Sequence, residues 1–335
     1  MGEKSELLRI PRAVDALVVS EARSSLIARA RHDAVSLMES KPINKGTAAV
    51  RPLEISAFSN QVDAEEQLRL GQICYSRQAY PNAAFWFRRA ADQGLADAQS
   101  KLGYLYYIGE GVAEDNEQAV LWWRKAADQG HTKAQYNLGQ MYADGEGLPE
   151  DIAQAAAWYR KAADQGLAEA QFDLGVLYRT GRGVPQDSAE EAAWYLKAAD
   201  QGHAEAQFNI GVLYEIGQGV PQDYAVAVHW FRKAADQGHV TAQFGLGVAY
   251  VEGKGVPKDL AKATDCFREA SMHGLAKAQF LLGYAYELGR GVTQDFAKAD
   301  KWYRMAAEQG ETEAQNRLAL LFSNGKVVQQ ENPEA

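Results

Sequence analysis

The chain has 335 residues, 47% of them apolar and 24% charged, a balance that suits a folded protein and excludes wholesale disorder. Its formal charge is −9, but residues 1–62 carry +2 and the remainder −11, so the bulk of the chain is acidic. An acidic surface lacks the cations that neutralise phosphates, which argues against DNA, RNA and anionic membranes as partners and favours basic protein segments.

The N-terminus, Met-Gly-Glu-Lys-Ser-Glu, has no charged stretch leading into an apolar one, and the longest early apolar run is Ala16-Leu17-Val18-Val19. No signal peptide or membrane insertion is expected, and a cytoplasmic location follows as the expectation. Residues 13–40 place Val14, Leu17, Val18, Ile27, Ala34, Leu37 and Met38 at roughly helical spacing, which predicts one or two amphipathic helices. Pro42, Gly46 and Pro52 then break the period. Residues 1–60 thus read as a helical extension and linker, either a solvated cap or a docking helix for a partner or for the chain's own groove.

Beyond this segment the chain repeats itself. Ala-Gln pairs begin at 98, 134, 170, 206, 242, 278 and 314, always 36 residues apart, and glycine follows at 103, 139, 175, 211, 247 and 283. A fixed period of this size signals a solenoid. The expected units are a short first repeat over 64–94 and full repeats over 95–130, 131–166, 167–202, 203–238, 239–274 and 275–310. A terminal half-repeat over 311–323 and a polar tail over 326–335 follow, with the whole array spanning 61–325. In a linear stack Cys74 and Cys266 lie too far apart for the Cα spacing of a disulfide, and two free thiols fit a reducing compartment.

Each repeat predicts a helix pair. Ala134, Leu138, Met141 and Tyr142 fall at i, i+4, i+7 and i+8, one helical face. Gly139 shares that face, and because glycine inside a helix costs about 1 kcal/mol relative to Ala, its recurrence implies a close approach, expected from Ala155 and Ala162 of the second helix. Asp115, Asp151, Asp187, Asp223, Asp259 and Asp295 stand where N-caps are needed. Arg160 and Lys161 suit a helix C-terminus, and Gly166 suits a left-handed cap. The aromatic pair Trp158-Tyr159 and its equivalents are assigned to packing.

The pattern Leu-Gly-x-x-Tyr-x-x-Gly-x-Gly-Val-x-x-Asp, then Trp-Tyr-x-Lys-Ala-Ala-x-x-Gly-x-x-x-Ala-Gln, resembles the Sel-one-like repeat (SLR) family, relatives of tetratricopeptide repeats. It covers residues 95–310 in every repeat and 64–94 more loosely. Near-identical copies of Tyr-Arg-Lys-Ala-Ala-Asp-Gln-Gly resemble bacterial members most. The resemblance implies an all-α fold, a right-handed α/α superhelix that binds proteins, often as a scaffold or adaptor. Its members serve in secretion, exopolysaccharide export, host interaction and toxin immunity, and hydrolase activity has been claimed for some.

No cofactor, metal site or catalytic group is expected. The Gly-x-Gly loops follow helices rather than strands and recur in every repeat, so they read as turns. His131, His203 and His239 share one repeat position and would stand about 10 Å apart, the usual helix-packing distance, too far for joint metal ligation. Glu191 replaces an alanine of the helix interface, which predicts a local shift that solvates it. The repeat over 239–274 has Gly245 as well as Gly247, and Cys266 in place of Trp; it is expected to be the softest.

Positions that build the stack stay constant among repeats, whereas those that meet a partner are free to vary. By the tetratricopeptide analogy, variable first-helix positions line a concave groove. They include Tyr104 and Tyr107, Gln140 and Asp144, Val176 and Arg179, Val212 and Glu215, Val248 and Val251, and Tyr284 and Glu287. Phe172, Phe208, Phe244 and Phe280 border this face, but their regularity favours packing. Valines, tyrosines and carboxylates together suit a peptide or protein with apolar anchors and basic groups. The readings that follow are a scaffold or adaptor, an immunity or inhibitor protein that blocks a toxin or enzyme cleft, and last a hydrolase.

Overall fold

A computed structural model describes residues 63–326. The extension predicted over 1–60, and all of the predicted tail beyond Lys326, lie outside the described residues. Among the described residues every regular element is an α-helix, and the chain is an all-α solenoid of paired helices. The described residues divide into two compact units, residues 63–167 and 168–326.

The first unit contains α1 (Ala64–Ser76), α2 (Tyr80–Asp92), α3 (Ala96–Ile108), α4 (Asn116–Asp128), α5 (Thr132–Asp144) and α6 (Ile152–Asp164). The second contains α7 (Ala168–Thr180), α8 (Ser188–Asp200), α9 (Ala204–Ile216), α10 (Tyr224–Asp236), α11 (Val240–Glu252), α12 (Leu260–Met272), α13 (Ala276–Leu288), α14 (Phe296–Glu308) and the unpaired α15 (Thr312–Ser323). Within each unit the two helices of a pair pack on each other, and the second helix packs on the first helix of the next pair. No described helix is long and apolar enough to cross a membrane.

Local chemistry sets the helix ends. The Asp151 carboxylate accepts from the Gln154 amide at 3.0 Å, and Asp115, Asp187, Asp223, Asp259 and Asp295 cap their second helices in the same way. Second helices close with Gln165 at the cap and Gly166 just beyond at φ +92°. The Gly166 amide reaches the Ala163 carbonyl at 2.9 Å and the Leu167 amide the Ala162 carbonyl at 3.2 Å, the paired bonds of a Schellman ending. The short first repeat turns instead through Gln78 at φ 61°, the one non-glycine residue with positive φ among those described.

His131, His203 and His239 are first-helix caps, a role the periodicity did not expose. Each Nδ1 accepts the amide three residues on, at 3.1, 3.2 and 3.1 Å. His131 Nε2 lies 3.2 Å from Asp97 and His239 Nε2 3.2 Å from Glu205, each in the preceding repeat. An accepting Nδ1 requires the neutral ring, and burial lowers the His131 pKa against the opposing pull of Asp97.

The helix-interface glycines accommodate aromatic rings as well as the expected alanine, a Cβ on Gly139 falling 3.4 Å from the Ala155 carbonyl oxygen. A Cβ on Gly139 would fall 2.6 Å from the Tyr159 ring, and one on Gly103 2.8 Å from the Trp123 ring. The second residue of each aromatic pair therefore seats over the first helix of its own repeat. The preceding tryptophan is also buried, with a lysine ammonium over its face: Lys161 stands 3.5 Å from the Trp158 ring centre and Lys197 3.6 Å from Trp194.

A glutamine ladder ties neighbouring repeats together. Glutamines of the Ala-Gln pairs donate to a carbonyl at the end of the preceding second helix, Gln135 to Ala127 at 3.1 Å and Gln207 to Ala199 at 3.0 Å. Their own oxygens accept from the glutamine that caps the second helix of the same repeat, Gln165 to Gln135 at 2.7 Å and Gln237 to Gln207 at 2.8 Å. At one rung the cap is His273, and the Gln243 oxygen is left buried without a hydrogen bond.

Glu191 corrects a further expectation. No shift solvates it: the side chain is buried at 1% exposure and one carboxylate oxygen accepts no hydrogen bond. Burial raises its pKa to about 7, against the opposing pull of Arg179.

Candidate protein-binding face

The second half of each first helix carries three variable positions between constant ones, so the same backbone offers different chemistry repeat by repeat. In the first unit, Tyr104 is only 8% exposed, packed among the core residues around Trp123 and hydrogen-bonded with Tyr75 of the short first repeat. It belongs to the core rather than to a presented surface, because that short repeat lays Tyr75 and Tyr80 against it. Tyr107 is half-buried with its ring 5.5 Å from Trp123. Gln140 donates to the Tyr136 hydroxyl at 3.1 Å, and Asp144 is exposed at the end of α5.

In the second unit, Val176, Val212, Val248 and Val251 are half-buried apolar groups, with Val176 and Val212 set against core clusters. Arg179, also half-buried, bears on the buried Glu191. Tyr284 stacks 6.3 Å from Phe280, with Arg317 4.8 Å from its ring and Arg290 5.5 Å. Glu287 is engaged internally: it accepts from the Tyr303 hydroxyl at 2.5 Å and lies 3.4 Å from Arg317. Its role is to join α13, α14 and α15, and little of it is left to meet a partner. Phe172 and Phe208 stack on His203 and His239 at 4.6 and 4.8 Å, in keeping with the packing role expected of them.

Of the predicted residues, Glu215 lines a concavity. The small concavity is lined by Glu215 of α9, by Tyr224, Ala227, Val228 and Phe231 of α10, and by Ala249, Glu252 and Lys254 at the end of α11. Lys254 Nζ lies 2.7 Å from the Glu252 carboxylate and 5.4 Å from the Tyr224 ring centre. Tyr224 and Lys254 were missed from sequence because they belong to a second helix and a loop. The signal was available in their variation: the position of Tyr224 is Asn116, Ile152, Ser188, Leu260 or Phe296 in other repeats.

Among the described residues no group of three or more His, Cys, Asp and Glu side chains could hold a metal ion. Both cysteines are free, and burial pushes the Cys266 thiol up to about 11 and raises that of Cys74, the opposite of an activated nucleophile.

Comparison with known proteins follows the repeat. A model of the Sel1 repeat matches residues 67–95, 96–131, 132–167, 168–203, 204–239, 240–275, 276–311 and 312–335. A solved structure of c5321, described as a protective antigen present in uropathogenic Escherichia coli strains and displaying an SLR fold, is 37% identical with a TM-score of 0.78. That match covers 84% of this chain and 62% of the relative, so the chain spans less than two thirds of that relative's length. A Sel1 repeat protein from Oxalobacter formigenes is 34% identical with a TM-score of 0.62, over 72% of this chain and 96% of the other. Immunity protein Pa5087 from Pseudomonas aeruginosa is 22% identical with a TM-score of 0.36, over 64% of this chain and 81% of its own. No match was found among curated proteins. With eight successive repeat matches from residue 67 onward, the chain belongs to the Sel1 repeat family.

Proposed function

We propose that this chain is a protein-interaction module, a scaffold or adaptor whose first-helix face in the second unit takes a peptide or protein segment with apolar anchors and basic groups. The observation that carries the reading is the division of labour within each repeat. Gly139, Trp158 and Gln135 recur because rings, glycines and glutamines interlock there, whereas Val212, Glu215, Val248 and Val251 stand at half-buried positions that vary from repeat to repeat. Half-buried valines beside carboxylates suit a mixed apolar and cationic ligand. The net charge of −11 from residue 63 onward favours the approach of a basic partner. Two free thiols suit a reducing compartment such as the cytoplasm.

Capture of partners on the immobilised protein, with Glu215→Gln and Glu252→Gln beside the native chain, tests the reading. The amide variants are expected to retain the fold and lose most of the captured partner at moderate salt, and undiminished capture would contradict it. The second reading, an immunity or inhibitor protein, rests on the same surface and differs in outcome. An inhibitor forms a tight one-to-one complex that silences its target, and an adaptor holds two partners at once.

A further inference from the structure

The pocket between α9, α10 and α11 has features that the solenoid itself does not require. Its floor is Ala227, Val228, Phe231 and Ala249, all buried and part of one core cluster. Its rim is built from positions that vary. Where Glu215 stands, other repeats have Tyr107, Ala143, Arg179, Val251 and Glu287. Where Glu252 stands, they have Ile108, Asp144, Thr180, Ile216 and Leu288. At this junction two carboxylates from successive first helices border one concavity with an aromatic ring from the helix between them.

A cation already sits there. The Lys254 ammonium is 2.7 Å from Glu252 and 5.4 Å from the Tyr224 ring centre, and its pKa is raised first by the hydrogen bond to Glu252 and further by Tyr224 and Glu215. Yet the lysine side chain is 49% exposed and Glu252 33%. An ion pair so wet is worth about 0–1 kcal/mol, so it holds the site weakly. With Lys254 in place the enclosed space is only about 10 Å³, room for about one water, so an occupant of side-chain size must take the lysine's place.

We propose that this pocket is a receptor for one arginine side chain of a protein partner, and that Lys254 is its resident stand-in, displaced on binding. A guanidinium fits better than the ammonium it replaces: its planar fork can donate to both carboxylates and its face can stack on Tyr224, whereas lysine offers a point charge. This rests on the reading of the first-helix face as a protein-binding surface and narrows the partner to one presenting an arginine there.

The probe is N-acetyl-arginine methylamide, titrated by NMR into the full chain, with N-acetyl-lysine methylamide in parallel. Lys254→Ala, at a position that is Glu110, Glu146, Arg182, Gln218 or Arg290 elsewhere, should leave thermal unfolding unchanged. It is expected to bind the arginine probe about tenfold more tightly than the native chain, with shifts confined to residues around Tyr224 and Glu252. Adding Glu215→Gln and Glu252→Gln should abolish that gain, while the distant Glu269→Gln should not affect it. No gain in Lys254→Ala, equal gains for both probes, or shifts spread over the acidic surface would overturn the proposal. The titration needs no partner, so its failure beside intact partner capture sinks the arginine receptor alone. Localised binding beside unchanged capture by the amide variants instead sinks the broader reading.

Discussion

Seven first helices carry a glycine beneath an aromatic ring, and at Gly175 a Cβ would fall 2.7 Å from the Tyr195 ring. Gly245 is different: the nearest atoms to its Cβ would be those of Phe231 at 3.7 Å, an ordinary contact. Gly175→Ala is therefore expected to destabilise by about 1–3 kcal/mol through overpacking, whereas Gly245→Ala should stabilise by about 1 kcal/mol through helix propensity alone. Urea unfolding of both variants checks the contrast, and equal effects would contradict the ring-over-glycine packing. Glu191 is a second residue whose cost can be measured. Its carboxyl is held at about 7 in the folded chain against an ordinary 4.5, so the folded state binds the extra proton. Stability from this group is full below pH 4.5 and is lost as pH rises through about 7. Glu191→Ala, the residue of most other repeats, should flatten that decline and add about 1–3 kcal/mol at pH 8. A native chain as stable at pH 8 as at pH 5 by this contribution would count against a buried carboxylate.

At the scale of elements, the ladder of glutamines makes the repeat over 239–274 distinctive. His273 cannot supply the bond that Gln237 gives Gln207, the Gln243 oxygen goes unpaired, and Cys266 leaves less apolar mass than the tryptophan of its neighbours. His273→Gln is expected to restore the rung, stabilise the chain by about 1 kcal/mol and slow amide exchange in α11 and α12 most. Unchanged exchange there would show that the broken rung does not limit local opening. The helix pairs, their aspartate caps and the glycine endings were legible because each depends on residues close in sequence. The ladder and the ring above each glycine were not. Each joins groups on different helices, and periodicity gives a residue's face but not the atom it meets.

Across the molecule, the repeat separates constant positions from variable ones. Constant positions could be assigned to the stack from sequence alone, and the structure supplies their partners. The variable positions were harder to read, since a variable residue can be presented, as Glu215 is at its pocket, or enclosed, as Tyr104 and Glu287 are. Their exposure depends on neighbours one repeat away, which no single repeat encodes. The claim that binding resides in the variable first-helix positions is tested most directly by measuring the Kd of a captured partner for two double variants of equal charge change. Val212→Asp with Val248→Asp alters the first-helix face, and Ala157→Asp with Ala193→Asp alters exposed second-helix positions. The expected result is a loss of at least about 100-fold, near 3 kcal/mol, for the first pair and less than about threefold for the second. Equal losses, or a loss confined to the second-helix pair, would contradict it.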